Sequence, residues 1–125
     1  MDYPADLKYA TNHEWVRRDG DVIRMGISDF AQDALGDVVY VELPEAGKTT
    51  VAGEAFAEVE STKSVSDIYA PVSGTVIAVN HDLDDAPELI NSDPYGAGWI
   101  AEIQMTDPSE LNALADATTY QSNLE

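Results

Sequence analysis

The sequence predicts a mainly β protein, a compact antiparallel sandwich or barrel, with short helices near residues 28–35 and at the C-terminus. Apolar and polar residues alternate over many short runs, which is typical of strands with one buried face. Glycine, proline, asparagine and aspartate separate these runs at close spacing, as in antiparallel all-β proteins. After Pro108, Leu111 and Leu114 lie three positions apart instead, which favours a helix.

The first predicted elements are a hairpin and a short helix. Strands over 14–18 and 21–27 are joined by Asp19-Gly20, a dipeptide typical of tight turns. Ser28 is a suitable helix N-cap, because its hydroxyl can accept a hydrogen bond from a free backbone N–H in the first turn. Gly36 is a suitable stop, because glycine adopts the left-handed conformation at little cost.

Two strands with alternating faces follow. Residues 37–43 form the first, and a turn over 44–47 ends it. Its predicted faces are Val39, Val41 and Leu43 on one side and Val38, Tyr40 and Glu42 on the other. Residues 53–60 form the second, with Ala55, Ala57 and Val59 on one face and Phe56, Glu58 and Glu60 on the other.

The second half of the chain continues the pattern. A return strand over 65–69 leads through a corner at 70–74 to a strand over 75–80, in which Ile77 and Val79 share a face. The polar connector 81–90 has room for one helical turn, and turn-rich residues precede a last strand over 99–105. Helix caps are predicted at Asp107 and Asp116.

Length and charge bound the class of protein. A chain of 125 residues with 44% apolar composition is the size of one domain, 1–125, with a core. Six basic against 24 acidic residues give a net charge of −18, which repels nucleic acid and anionic membranes, so neither is expected as a partner. The excess of acidic residues suggests, as a hypothesis, a proteome adapted to high salt.

Several classes of site are excluded or disfavoured. Without cysteine the chain has no disulfide, thiolate nucleophile or cysteine metal site. No apolar run approaches the ~20 residues of a membrane span, residues 1–6 do not resemble a signal peptide, and a cytoplasmic protein is expected. The acidic segment 81–88 lacks the spacing of a calcium loop and is interpreted as a solvated face, so no metal site is predicted.

Lys63 is the most informative residue of the sequence. It is one of three lysines and lies in the polar break between two strand-like segments, ten residues after Gly53 and eleven before Gly74. A lysine at a hairpin tip projects its amine into solvent and is well placed for covalent modification. The alternative is an ordinary surface lysine beside Glu60 and Asp67.

The surrounding sequence resembles a known family. Two glycine-bounded strands that meet at a lysine resemble lipoyl and biotinyl carrier modules, and Thr62 and Ser64, in place of methionines, favour lipoyl. Further segments resemble the glycine cleavage system H proteins in family order: 8–9, 13–16, 26–32, 35–44, 59–63, 66–74 and 91–99. The chain is therefore identified as a member of that family from about residue 7 to residue 115.

The resemblance implies a barrel-sandwich hybrid with lipoate in amide linkage to Lys63. It implies a lipoyl-binding core over about 21–104, a C-terminal helical segment over about 108–124, and Glu60 in ligase recognition. The implied role is a non-catalytic carrier, most simply a monomer. It would take the aminomethyl group from glycine decarboxylase to the aminomethyltransferase, would be reoxidised by dihydrolipoamide dehydrogenase, and would be modified by a lipoate ligase or lipoyl-transfer enzyme.

The resemblance also places Glu14 in a cleft where the loaded arm rests, so that its carboxylate can pair with the aminomethyl ammonium. Asn12, His13, Ile27 and Asp67 are assigned to arm docking, and Ala31 to an apolar wall. From the residues alone, the favoured interpretation of Glu14 is a solvated strand charge and of His13 a surface ring, whereas Ile27 and Ala31 could equally be ordinary core residues.

Three alternatives stay open at this point. An H-like lipoyl carrier could relay lipoate to other enzyme complexes. An acidic hydrolase could use Glu58 and Glu60, which alternation places on one face, although no other residues converge with them. A passive interaction domain would need no modification at all.

Overall fold

A computed structural model describes residues 1–124. The described strands are β1 (Lys8–Tyr9), β2 (Glu14–Asp19), β3 (Val22–Ile27), β4 (Val38–Glu42), β5 (Thr49–Thr50), β6 (Ala55–Ser61), β7 (Val65–Tyr69), β8 (Gly74–Val79) and β9 (Ala101–Met105). The helices are α1 (Asp29–Leu35), α2 (Asp82–Asp85), α3 (Leu89–Ser92) and α4 (Ala117–Leu124), with a 3-10 helix over Pro108–Ala113.

The strands form two sheets with antiparallel neighbours. The larger has the order β1-β2-β3-β9-β8-β5, and the smaller has the order β4-β6-β7. One hydrophobic core lies between them, since it contains Ile23 and Ile103 from the larger sheet and Val41, Val59 and Ile68 from the smaller. The predicted mainly β fold with short helices, a barrel-sandwich hybrid, is confirmed.

The local signals for the first hairpin and α1 are also confirmed. Gly20 has a φ of 64° in the turn between β2 and β3. The Ser28 hydroxyl accepts a hydrogen bond from the Ala31 N–H at 3.2 Å, and Gly36 ends the helix with a φ of 84°. These two caps fix where α1 begins and ends, which later determines the shape of the candidate site.

The faces predicted for β4 are wrong. The register against β6 shifts between Val38 and Tyr40, so Val38 and Val41 are both buried. Val39 is 49% exposed and Tyr40 is 57% exposed, although they were placed on opposite faces. A β-bulge adds one residue to a strand and moves the following side chains to the other face, which simple alternation does not anticipate.

Register shifts also occur in β6 and β8, and the faces predicted for these strands are partly wrong. Phe56 is buried beside Ala57, although alternation placed it on the face of Glu58 and Glu60. In β8, Ile77 and Val79 were expected to share a face, but Ile77 is 47% exposed while Val79 packs against the core. The 81–90 connector contributes two short helices rather than one turn, and they bury Leu83 and Ile90.

The C-terminal segment packs on the other side of the larger sheet. Asp107 accepts a hydrogen bond from the Ser109 N–H and Asp116 from the Thr119 N–H, so both predicted caps are confirmed. A second core cluster joins α4 to β1 and β2 through Leu7, Tyr9, Trp15, Ala117 and Tyr120. Among residues 1–124, every helix is too short or too polar to cross a bilayer.

Candidate functional site

The turn that carries Lys63 is a short, hydrogen-bonded connection between β6 and β7. The Ser61 hydroxyl oxygen accepts hydrogen bonds from the N–H groups of Lys63 and Ser64, both at 3.1 Å. The Ser61 N–H donates to the Ser64 carbonyl at 2.8 Å. Lys63 is therefore held at an exposed tip, as predicted, and Ser61 is a supporting residue that the sequence interpretation missed.

The Lys63 side chain is exposed, as predicted, but it does not extend straight away from the molecule. It lies against Gly36: a Cβ placed on that glycine would be 3.2 Å from Lys63 Cε and 3.7 Å from Nζ. The Thr62 N–H also donates to the Asp37 carbonyl at 3.0 Å. The tip thus rests on the segment that follows α1.

Asn91 fixes the segment beneath the lysine. Its side-chain amide donates to the Gly36 carbonyl and to Gln32 Oε1, each at 2.9 Å. Its carbonyl oxygen accepts from the Val38 N–H at 2.8 Å. The asparagine fills both of its hydrogen-bonding roles and joins α3, α1 and β4 at one point.

A cleft of about 260 Å³ begins beside this segment and runs along α1. Its lining residues are Asn12, His13, Glu14, Ile27, Phe30, Ala31, Ala34, Leu35, Val59, Ser66, Asp67 and Ile68. All five residues assigned to arm docking, Asn12, His13, Glu14, Ile27 and Asp67, lie in it together. Glu60 lies outside it, exposed between Tyr40 and Val65 on the outer face of the smaller sheet.

The cleft has an apolar length and a polar end. Phe30, Ala31, Ala34 and Leu35 of α1 face Val59 and Ile68 of the smaller sheet. Leu35, next to Gly36 and hence to Lys63, marks one end, and Phe30, whose ring centroid is 5.0 Å from that of His13, marks the other. Five residues of helix separate these ends, a span of roughly 8 Å.

Glu14 lies in the interior of the molecule at the polar end. It is 2% exposed, and its Oε2 accepts a hydrogen bond from the Tyr69 N–H at 3.3 Å. Burial raises the pKa of Glu14 to about 8, against the opposing effect of backbone hydrogen bonds. The alternative of a solvated strand charge is therefore wrong, and a pKa of about 8 keeps the side chain mostly protonated at neutral pH.

Comparison with known proteins identifies the family of this fold and site. The model of the family described as Glycine cleavage H-protein matches residues 7–125. The chain belongs to the glycine cleavage H-protein family. It is 61% identical to the glycine cleavage system H protein of Mycobacterium avium (strain 104), over 98% of this chain and 97% of the other. It is 56% identical to that of Mycobacterium leprae (strain TN), over the same shares of both chains.

A solved structure shows the same fold. The crystal structure of a glycine cleavage system H protein from Mycobacterium marinum superposes with a TM-score of 0.89 at 45% identity, and the match covers 97% of this chain and 98% of that one. The H-protein fold thus accounts for the whole arrangement of strands around the cleft, including the C-terminal helix.

The sequence interpretation missed part of the H-protein cleft. Phe30, Ala34 and Leu35 line it with Ala31, and only the last was named in advance. The spacing i, i+1, i+4, i+5 of these four residues marks one face of a helix and could have identified them. Tyr120 was missed for another reason: it reaches the cleft residue His13 from 107 positions along the chain.

The outer face of the smaller sheet carries a row of acidic side chains. Glu42, Glu58 and Asp67 lie opposite one another across β4, β6 and β7 and border an open groove of about 760 Å³. Glu60 does not border that groove, so Glu58 and Glu60, the pair that the hydrolase alternative required, do not meet there. Within the described part of the chain, no three His, Asp or Glu side chains form a metal-binding group.

Proposed function

We propose that this H protein is the lipoyl carrier of a glycine cleavage system, with lipoate in amide linkage to Lys63. The observation that carries the proposal is one cleft that runs from Leu35, next to the Gly36 on which Lys63 rests, to buried Glu14. When bound, lipoate would supply a disulfide, which is reduced as one sulfur takes the aminomethyl group of glycine and the other becomes a thiol. The chain itself, in this proposal, catalyses no step.

The residues of the cleft suit a lipoyl arm. Apolar side chains of α1 and of the smaller sheet match a hydrocarbon chain, and amide formation removes the charge of Lys63 that would oppose entry into such a site. The Ser61 hydrogen bonds hold the attachment point, so the arm leaves from one place. A tethered arm of this kind reaches several partner sites at high effective concentration.

Glu14 is suited to recognise the amine of the load. In the empty cleft it is mostly neutral, because burial disfavours the carboxylate. An ammonium that enters the cleft stabilises the ionised form, so Glu14 releases its proton and forms an ion pair out of contact with water. The carboxylate then retains the ammonium, and the apolar walls exclude the water that would hydrolyse the load.

The partners follow from the same proposal. Glycine decarboxylase loads the arm, the aminomethyltransferase unloads it, dihydrolipoamide dehydrogenase reoxidises it, and a lipoate ligase or lipoyl-transfer enzyme attaches it, all in the cytoplasm. Glu60, which is exposed three residues before Lys63, is proposed to contact the attaching enzyme. A monomer is the simplest state for a carrier that docks on several enzymes in turn.

The experiment compares Lys63→Arg with Lys48→Arg, which keeps the same number of lysines and the same charge. We expect the wild type and Lys48→Arg to gain the mass of one lipoyl group from a purified ligase, with the label mapped to Lys63. We expect Lys63→Arg to gain none and to lose glycine cleavage completely in a reconstituted system, with its fold intact. A Lys63→Arg protein that still supports glycine cleavage would overturn the proposal.

A further inference from the structure

The C-terminal helix reaches the cleft through one hydroxyl group. Tyr120 in α4 lies with its hydroxyl oxygen 2.7 Å from His13 Nδ1 and 2.7 Å from Ser28 Oγ. His13 lines the cleft directly, whereas Ser28 is fully buried and caps the helix that forms one cleft wall. A single side chain from the far end of the sequence therefore contacts two elements that border the site.

The hydrogen bonds in this group have one consistent direction. Ser28 Oγ accepts from the Ala31 N–H, so its own hydroxyl proton is free to donate to Tyr120. The Tyr120 hydroxyl then donates to Nδ1 of a neutral His13. Burial lowers the pKa of His13, which favours that neutral form. Removal of the Tyr120 hydroxyl would leave both neighbours without this partner.

His13 needs such support because its backbone is strained. Its φ of 74° lies in the left-handed region, and no other non-glycine residue among the described residues has a positive φ. Such a conformation persists only where the surroundings determine it. The His13 carbonyl accepts from the Ser28 N–H at 2.8 Å, and its N–H donates to the Ala10 carbonyl at 3.0 Å. Its ring contacts Phe30 and has its hydrogen bond with Tyr120.

We propose that Tyr120 is a positioning residue for the cleft along α1. Its hydroxyl group holds the His13 ring and the Ser28 cap of α1 in place, and so maintains the shape of the polar end of the cleft. The inference rests on the proposed lipoyl function and adds to it a role for the C-terminal helix. Tyr120 is itself fixed by stacking on Tyr9, with ring centroids 4.6 Å apart and planes inclined by 7°. The docking of α4 is thereby linked to the shape of the cleft.

The test compares Tyr120→Phe with Tyr9→Phe. Both variants keep the stacked rings and remove one hydroxyl, but the Tyr9 hydroxyl donates to the Pro4 carbonyl at 2.8 Å and lies outside the cleft. The first measurement is an NMR titration of the unmodified chain, in which exposed His81 serves as the internal reference. We expect the His13 pKa to rise in Tyr120→Phe and to stay unchanged in Tyr9→Phe.

The second measurement is the rate at which a small water-soluble phosphine reduces the dithiolane of the lipoylated chain. We expect Tyr120→Phe to be reduced about fivefold faster than the wild type, the factor that one net hydrogen bond gives, and Tyr9→Phe to match the wild type. Glu14 and Asp67, the other titratable groups lining the cleft, are unchanged in both variants, so they cannot cause a difference.

The outcomes separate the two proposals. Equal behaviour of Tyr120→Phe and Tyr9→Phe in both measurements would overturn the role of Tyr120, even with Lys63 fully lipoylated. A wild-type chain that a ligase does not modify would overturn the proposed function instead, and the His13 titration would still report whether Tyr120 positions that ring.

Discussion

Two glutamates, Glu14 in β2 of the larger sheet and Glu58 in β6 of the smaller, have raised pKa values for different reasons. Glu14, which lies in the cleft, is buried, and desolvation raises its pKa to about 8. Glu58, on the outer face, is exposed, and its pKa is raised mainly by the charge of Glu42 opposite it, with Asp67 and Glu60 contributing. Salt screens the repulsion between exposed charges but scarcely affects the cost of burial.

This difference separates a functional feature from a compositional one. Repulsion on the outer face follows from a chain of net charge −18, whose acidic side chains must share the surface. A carboxyl group kept uncharged inside a cleft is unfavourable for folding once it ionises, and it is typical of sites where a charge is to be recognised or moved. The same direction of pKa shift thus carries functional information only at Glu14.

The largest expected effect is a pH-dependent difference in the free energy of unfolding between the wild type and Glu14→Gln. Unfolded Glu14 releases its proton near pH 4.5 and folded Glu14 near pH 8, so the folded state binds more protons between these values. Wild-type stability should therefore fall, relative to Glu14→Gln, as pH rises through this window, by at most about 5 kcal/mol, and stay level above it. Chemical unfolding of both proteins from pH 4 to 9 measures this difference.

That result should not depend on salt, because the cause is burial. A stability difference between the wild type and Glu14→Gln that disappears in concentrated salt would mean that Glu14 behaves like Glu58. A difference of constant size across the whole pH range would mean that Glu14 does not titrate in this window.

The next effect concerns the end of the cleft at Leu35, beside Gly36 and Lys63. Gly36→Ala and Gly53→Ala both place alanine at a positive φ, 84° and 86° in the native chain, so each should lose about 1–3 kcal/mol of stability. Only at Gly36 does the new methyl group meet Lys63, since the space around a Cβ at Gly53 is open within 4 Å. We expect Gly36→Ala alone to weaken the NMR contact between Lys63 and residue 36 and to speed reduction of the lipoylated arm.

Equal rates of arm reduction in the two glycine variants would show that the contact between Lys63 and Gly36 does not affect the position of the arm. Chemical unfolding of both supplies the control, because it verifies that the backbone cost is matched.

A smaller effect is expected at the outer face. Glu58→Gln removes one charge from the row formed with Glu42 and Asp67, so it should stabilise the fold slightly at neutral pH and low salt. The gain should vanish at high salt, where the repulsion is already screened. Unfolding curves at two salt concentrations test this, and a gain that persists in high salt would assign the raised Glu58 pKa to another cause.

The hypothesis of a salt-adapted chain is tested by the same method on the wild type. A net charge of −18 predicts higher stability and more complete refolding at high salt than at low salt. Equal stability at both concentrations would remove the hypothesis without affecting the proposed carrier function.

The local features were predictable from sequence because each depends on neighbours in the chain. Asp19-Gly20 specified a hairpin, Ser28 and Gly36 bounded a helix, and the polar break at Lys63 produced an exposed tip. The faces of Val39, Phe56 and Ile77 were not predictable, because a β-bulge depends on the partner strand and leaves no mark in the alternation.

The cleft was predictable only in part. Family resemblance brought five of its residues together in advance, but it did not indicate that Glu14 is buried and mostly protonated, which depends on how α1 and β7 cover it. The contact of Tyr120 with His13 joins chain positions 107 residues apart, and local pattern carries no information at that range.

We propose above all that buried Glu14 ionises when the Lys63 arm brings a cation into the cleft. The most direct measurement is a carbon-detected NMR titration of the Glu14 carboxyl group in three forms: unmodified, lipoylated, and lipoylated and loaded with the aminomethyl group. We predict a midpoint at pH about 8 in the unmodified chain and a clear fall of that midpoint in the loaded form. A midpoint near the ordinary value of 4.5 in every form would contradict the account.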